Sequence, residues 1–365
     1  MKSDINIIRD KRGLQDLASE WDRLAGPLEN PLMNHEWFMA CARTFYEEGE
    51  LHIVTVQSRE NIAAIAPLAI TRTQGRECLE LVGVPYLHEP CGLLYDSRES
   101  LERLIKEVIK LRQPLLLNRI PADDPTSKLF RECSKYRGLI IERNTSLCIR
   151  VHITTRWSDY VKSLSSRRRY DLRRARKRAE ERGDVSFKIS CPAPDELNRW
   201  LDMAFQVESE SWKGRNGSAL LYNHKIQQFF RKYANLASRD SILRIGFMFI
   251  NDEVAAMQIA IEYAQRFWVL KIGYDEKWAK CSPGIQLTHE SIRYAFNHGL
   301  KSYEFLGSDE PWLHMWSKDK ADYTSVGMYP LTFKGLYGLG IDLTDYARRK
   351  ILTGFVRRRR LSAAI

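Results

Sequence analysis

Two stretches 192 residues apart carry the same pattern. In "LHIVTVQSRENIAAIAPLAITR" and in "SILRIGFMFINDEVAAMQIAIEY" an alternating apolar run, a polar turn and a second run read as strand, turn and strand, and Ile62, Ala63, Ala64 and Ile65 line up with Val254, Ala255, Ala256 and Met257. Four matched pairs are a small sample, because apolar strands resemble one another by chance. The order of the surrounding elements is the firmer constraint. Helices at "SEWDRLAG" and "NHEWFMACARTFYEEG" precede the first hairpin, and "SRESLERLIKEVIKLRQPLLLNRI" follows it as helix then strand. Helices at "DELNRWLDMAFQVESES" and "HKIQQFFRKYANLASR" precede the second; a strand "RFWVLKIGYD", a helix and a strand "SYEFLG" follow it. The chain therefore reads as two copies of one α/β unit, with a mixed, largely antiparallel sheet and helices on both faces.

The 365 residues give each copy room for its own core. Composition changes sharply near residue 155, which sets the expected division: 1–154, 155–335, and a basic tail 336–365. The net charge of +11 is concentrated. Residues 162–182 hold ten Lys/Arg against three acids, and residues 348–360 hold seven with none, so the rest of the chain is slightly acidic. That distribution argues against a general DNA-binding surface. Seven cysteines without a C-x-x-C pair or a histidine cluster indicate neither a disulfide framework nor a metal site. The start "MKSDINIIRDKRG" has no signal-peptide core, and the run "IAAIAPLAI" is half a membrane span, so a cytoplasmic location is expected, with peripheral contact to the inner membrane as an option.

Within "RFWVLKIGYDEKWAKCSPGIQLTHESIRYAFNHGL" the strand runs through a charged loop into a helix that starts at Ser-Pro-Gly. Ser282 reads as N-cap, Pro283 as first helical residue and Gly299 as C-terminal cap. A helix start of this kind offers unpaired backbone N–H groups and the positive end of a dipole, which suit a phosphate. A capped helix end with no ligand is the plain alternative.

The element order, together with "YDEKWAKCSPGIQLTHESIRYAFNHGLKSYEFLGSDEPW" and the arginine-rich "SSRRRYDLRRARKRAEERG", resembles the GNAT superfamily of acyl-CoA N-acyltransferases. It is most similar to the CelD-like, cellulose-biosynthesis-type branch, whose members pair two GNAT-like domains as the Fem-type aminoacyltransferases do. The resemblance spans about Trp21 to Tyr329 and implies tandem GNAT-like domains. It also implies that Lys280, Cys281, Ser282, Pro283, Gly284, Ile285 and Gln286 bind the pyrophosphate of acetyl-CoA or another acyl-CoA, with no metal.

Thioester-to-amine transfer needs a neutral amine, alignment, oxyanion donors and an acid for the leaving thiolate. For the base, Glu208 and Glu210 stand before Trp212 and Lys213 in "ESESWKG", which resembles a stretch at the mouth of the branch's acceptor groove. Glu304, Asp309 and Glu310 form a second set, with Asp309 preferred. Each of these acids taken alone is more often structural. Trp312 and Trp316 keep an aromatic frame in which related sequences carry a lysine where Leu313 stands, and His314, read as part of a strand, faces away. Cys281 reads as a packing residue. On the helix of residues 166–180, Leu172, Ala175 and Ala179 form a narrow apolar stripe, leaving Arg168, Arg173 and Arg174 among those free to hold an anionic acceptor: a small molecule or a lipid- or nucleotide-linked sugar. A solvated charge run is the alternative there. Ile351, Leu352, Phe355 and Val356 could lay the basic tail on an anionic membrane.

The leading reading is an N-acyltransferase, acetyl first, acting on an amine of an envelope or exopolysaccharide precursor. Two others stay open: an aminoacyl-tRNA-dependent transferase on the same fold, and a catalytically silent protein that binds an anionic polymer or membrane surface.

Overall fold

A computed structural model describes residues 5–58, 61–73, 75–135, 137–211 and 223–362. The first half contributes β1 (Ile5–Ile8), β2 (Leu51–Ser58), β3 (Asn61–Thr73), β4 (Arg76–Leu81), the short β5 (Leu94–Tyr95), β6 (Leu115–Pro121) and β7 (Gly138–His152). The second contributes β8 (Val185–Ser190), β9 (Leu243–Ile250), β10 (Glu253–Tyr263), β11 (Arg266–Tyr274), β12 (Ser302–Glu304) and β13 (Lys320–Pro330). Among the described residues all of them share one sheet, ordered β1-β2-β3-β4-β6-β13-β7-β12-β11-β10-β9-β8, with β5 beside β3. The fold is mixed α/β and mostly antiparallel, as the sequence pattern indicates.

The offset of 192 residues is kept in the register of the two hairpins. Hairpin β2–β3 pairs Ser58 with Asn61, Gln57 with Ile62 and Val56 with Ala64, skipping Ala63. Hairpin β9–β10 pairs Ile250 with Glu253, Phe249 with Val254 and Met248 with Ala256, skipping Ala255. The same alanine is bulged in each copy, and a bulge bends its strand and raises the local twist.

The two halves exchange their last strands. β13, from the end of the second half, lies between β6 and β7, antiparallel to both. β7, from the end of the first half, pairs with β12 through Ser302↔His152, Tyr303↔Val151 and Glu304↔Arg150. Helices of the two halves meet as well. Trp37 and Phe45, on helix His35–Phe45, meet Phe229 and Tyr233, on helix His224–Arg239, with Trp37 edge-on at 5.0 and 4.9 Å. Such aromatic pairs contribute about 0.5–1.5 kcal/mol each beyond the area they bury.

The segment expected as a basic tail begins as a docked helix, Phe333–Ser362. Asp342 fixes it: the Tyr329 hydroxyl donates to its carboxylate at 2.6 Å and Arg143 pairs with it at 2.9 Å.

Candidate active site

Strands β11 and β12 run parallel and pair only over Arg266–Trp268 and Ser302–Glu304. Beyond Glu304 the chain leaves the sheet by way of Leu306 and Gly307, both at positive φ (53° and 64°), while β11 continues to Tyr274. The strands part and a cavity of about 350 Å³ opens between Val269–Tyr274 and Phe305–Leu313. A bulge on β11 lies in its wall: Ile259 faces Lys271 and Ala260 faces Val269, leaving Leu270 outside the ladder. A second cavity, about 340 Å³, shares Ile272, Tyr274, Glu310 and Trp312 with the first and extends to Ser282, Pro283, Gly284 and Ile285.

The helix bordering that second cavity is Pro283–Asn297. Its far end closes as expected: Gly299 takes φ 64°, its N–H donates to Phe296 O, and Leu300 N–H donates to Ala295 O. Its near end departs from expectation. Ser282 occupies the N-cap position in the left-handed region (φ 49°, ψ 54°), and its hydroxyl caps nothing. Only its carbonyl serves the helix, accepting from Gln286 N–H at 3.1 Å. Because Pro283 has no N–H, the amides of Gly284 and Ile285 are the unpaired donors of the first turn, and both residues line the cavity. Lys280 is exposed, whereas Cys281 and Gln286 are buried. The Gln286 amide donates to Ala175 O and Cys281 O, tying this loop to the arginine-rich helix Ser166–Glu180.

A carboxylate absent from the sequence expectations lines the first cavity. Glu89 follows the short helix Val84–Leu87 and His88, which stands at φ 57°, and it reaches from the first half to the parted strands of the second. Arg119 on β6 holds the place together, donating to His88 O at 2.6 Å, to Gly307 O and to Cys148 Sγ at 3.0 Å. Gly307 N–H donates to the Glu89 carboxylate, yet Oε2 is buried without a partner. Burial raises this carboxyl from 4.5 to about 7, outweighing Arg119 and Lys271, which both pull it down. His88, Arg119, Ser282 and Leu306 are four of ten non-glycine residues at positive φ among those described. Each such residue costs about 1–3 kcal/mol, and such costs concentrate at functional sites.

The residues singled out from sequence take separate positions. Glu208 is fully buried on helix Leu197–Ser209, behind β11, where a Cβ on Gly273 would stand 3.0–3.1 Å from its atoms. Glu210 is exposed and accepts from Gln206 at 2.8 Å. Asp309 is held by His314 at 2.7 Å and Lys320 at 3.1 Å. The strand expected around His314 is a short 3-10 turn, Leu313–Met315, which swings the imidazole onto Asp309. Trp312 borders both cavities, its indole N–H donating to Glu310 at 2.6 Å. Trp212 and Lys213 lie outside the described residues.

Arg168, Arg173 and Arg174 share a helix but not a setting. Arg168 donates to Met315 O at 2.9 Å, and Arg174 pairs with Asp171 at 3.5 Å. Arg173 lines a groove of about 660 Å³ with Arg169, Arg176 and Arg293, opposite Glu290. Among the described residues, no group of His, Cys, Asp and Glu stands where it could hold a metal.

Residues 166–313 match the model of the acetyltransferase (GNAT) domain family. Over those residues the chain has a GNAT-type fold. Among solved structures it is similar to FemX, at 12% identity over 87% of this chain and 97% of that one, with a TM-score of 0.58. A Bacteroides thetaiotaomicron protein of unknown function gives 10% identity, 89% and 99% coverage and a TM-score of 0.53. The C-terminal domain of an Agrobacterium fabrum protein described as a lysylphosphatidylglycerol synthetase gives 8%, 86% and 92%, and 0.52. These likenesses concern the fold. Among curated proteins none matches.

Proposed function

We propose that the protein is an acyl-CoA-dependent N-acyltransferase, acetyl first, whose acceptor is an amine of an anionic envelope or exopolysaccharide precursor. The observation that carries this reading is the continuity of the two cavities. One ends at the unpaired amides of Gly284 and Ile285, where the pyrophosphate of coenzyme A would be held; the other lies between the parted β11 and β12, where the thioester would meet an amine. Trp312 borders both and would pack on the arm between them.

For the acceptor, the support is charge. Four arginines line the groove beside the arginine-rich helix; among the described residues Arg176 pairs with Glu180 and Arg293 with Glu290, which leaves Arg169 and Arg173 outside any carboxylate pair, over an apolar floor that includes Leu172 and Phe187. That combination suits a phosphate or carboxylate attached to a less polar body. Contact with the cytoplasmic face of a membrane is part of the same reading. Among the described residues no helix is long and apolar enough to cross a membrane, but Phe333, Leu336, Tyr337 and Leu343 of the last helix are exposed ahead of its basic end. Co-sedimentation with anionic but not neutral vesicles tests that contact.

Thiol release from acetyl-CoA in the presence of an amine panel, from glucosamine to nucleotide-linked amino sugars, tests the activity. Acetyl-CoA consumption that depends on an amine supports it; no consumption with any member, and no binding of the donor, opposes it. The likeness of the fold to FemX favours one second reading, an acyl group delivered by aminoacyl-tRNA, and charged tRNA belongs in the same panel.

A further inference from the structure

We infer that Glu89, a residue of the first half, is the general base that deprotonates the acceptor amine in the cavity of the second half. The inference rests on the acyltransferase reading. Its ground is geometric. Glu89 lines the cavity between the parted strands together with Lys271, Gly307 and Ser308. Among the described residues, its Oε2 is the one carboxylate oxygen both buried and without a hydrogen-bond partner. A buried acceptor left unpaired costs about 1–3 kcal/mol, and a donor that enters the cavity and reaches Oε2 would relieve that cost. An ammonium group supplies that donor. The carboxylates expected from sequence are engaged or set back: Asp309 by His314 and Lys320, Glu310 by Trp312, Glu304 by Ser302, Glu210 by Gln206, Glu208 behind Gly273.

The groups facing Glu89 are Arg119 from β6, Lys271 from β11, the Cys148 thiol from β7 and the Gly307 N–H. Burial prevails over the two cations and leaves the carboxyl near 7, where a base is both ionised and basic enough to act. In the step itself, an acceptor R–NH3+ gives one proton to Glu89. The freed nitrogen lone pair forms a C–N bond to the thioester carbon, and the C–S bond breaks with its electrons on sulfur. The second nitrogen proton then goes to the departing thiolate, leaving amide, free thiol and protonated Glu89, which returns its proton to solvent.

The experiment compares wild type with Glu89→Gln and Lys271→Met. Donor binding is read by calorimetry with acetyl-CoA, turnover by thiol release with glucosamine and a simple alkylamine, and the Glu89 carboxyl by carbon-13 NMR of glutamate-labelled protein. Expected are unchanged acetyl-CoA affinity in Glu89→Gln, kcat lower by about a hundredfold to ten-thousandfold, and loss of the acidic limb of the pH–rate profile. In Lys271→Met, removal of a cation should move that limb to higher pH. If the probe amines turn over too slowly to measure, the NMR titration decides: a resonance titrating near 7 and absent from Glu89→Gln supports the inference, and one near the ordinary 4.5 overturns it. Wild-type kcat with the acidic limb intact in Glu89→Gln also overturns it, while acetyl-CoA that fails to bind wild type overturns the acyltransferase reading instead.

Discussion

Gly273 has no side chain because Glu208 lies against it. A methyl group there would meet Glu208 Cα at 3.0 Å, so this glycine permits the close approach of the helix behind β11. Glu208 was legible as a carboxylate near the site, but its burial was not, because burial depends on a strand more than sixty residues away. Glu89 was illegible for the same reason in stronger form: its neighbours are Arg119, Lys271 and Gly307, and no local pattern joins them. Its raised acidity has a consequence for stability. The folded protein holds this proton up to about pH 7, whereas the unfolded chain releases it near 4.5, so wild type loses stability as pH rises through that window. Glu89→Gln removes the buried charge and keeps an acceptor for Gly307. Its melting temperature should therefore gain on that of wild type as pH goes from about 5 to about 8. A difference that stays constant across this range would show that the carboxyl titrates normally.

At the scale of elements, local pattern was a good guide. Helix His224–Arg239 and strand Glu253–Tyr263 have the limits read from sequence, and Gly299 closes its helix as expected. The N-cap at Ser282 was placed correctly but its conformation was not, since a serine in the left-handed region is set by the loop packed beneath it: Cys281 and Gln286 are buried there. The arginine-rich helix was also found, with Ala175 and Ala179 buried and Leu172 partly so. Its surface arginines contribute little to folding, because an exposed ion pair such as Arg174–Asp171 is worth about 0–1 kcal/mol. Changing Arg173 and Arg174 to Gln keeps helix propensity. The melting temperature should hardly move, while binding of an anionic acceptor becomes weaker and less sensitive to salt. An unchanged salt dependence would return the segment to a solvated charge run.

At the scale of the molecule, the repeat was visible from its alanine pairs, but the exchange of β7 and β13 was not. Long strands that pair across 170 residues or more leave no local trace, as in Lys320↔Ile149 and Gly327↔Ile141. The exchange also explains how a first-half carboxylate stands in a second-half cavity, since β6, β13, β7 and β12 form one continuous surface under it. If the chain is cut at residue 155 and the pieces are made apart, each lacks a central strand of its sheet, so both should fail to fold cooperatively, and mixing them should restore native circular dichroism. Two independently folded pieces would contradict this architecture. Gly284→Val asks whether acyl-CoA is held at the open helix end. The new Cβ would stand 3.4 Å from the Tyr274 ring, an ordinary contact, and valine is the better helix former, so the fold should survive. The remaining methyl groups would fill the space where a phosphate must approach the backbone. Calorimetric titration with acetyl-CoA should show binding to wild type and a loss of at least about tenfold in affinity, about 1.4 kcal/mol, in Gly284→Val at equal melting temperature; equal affinity in the two proteins would contradict the site.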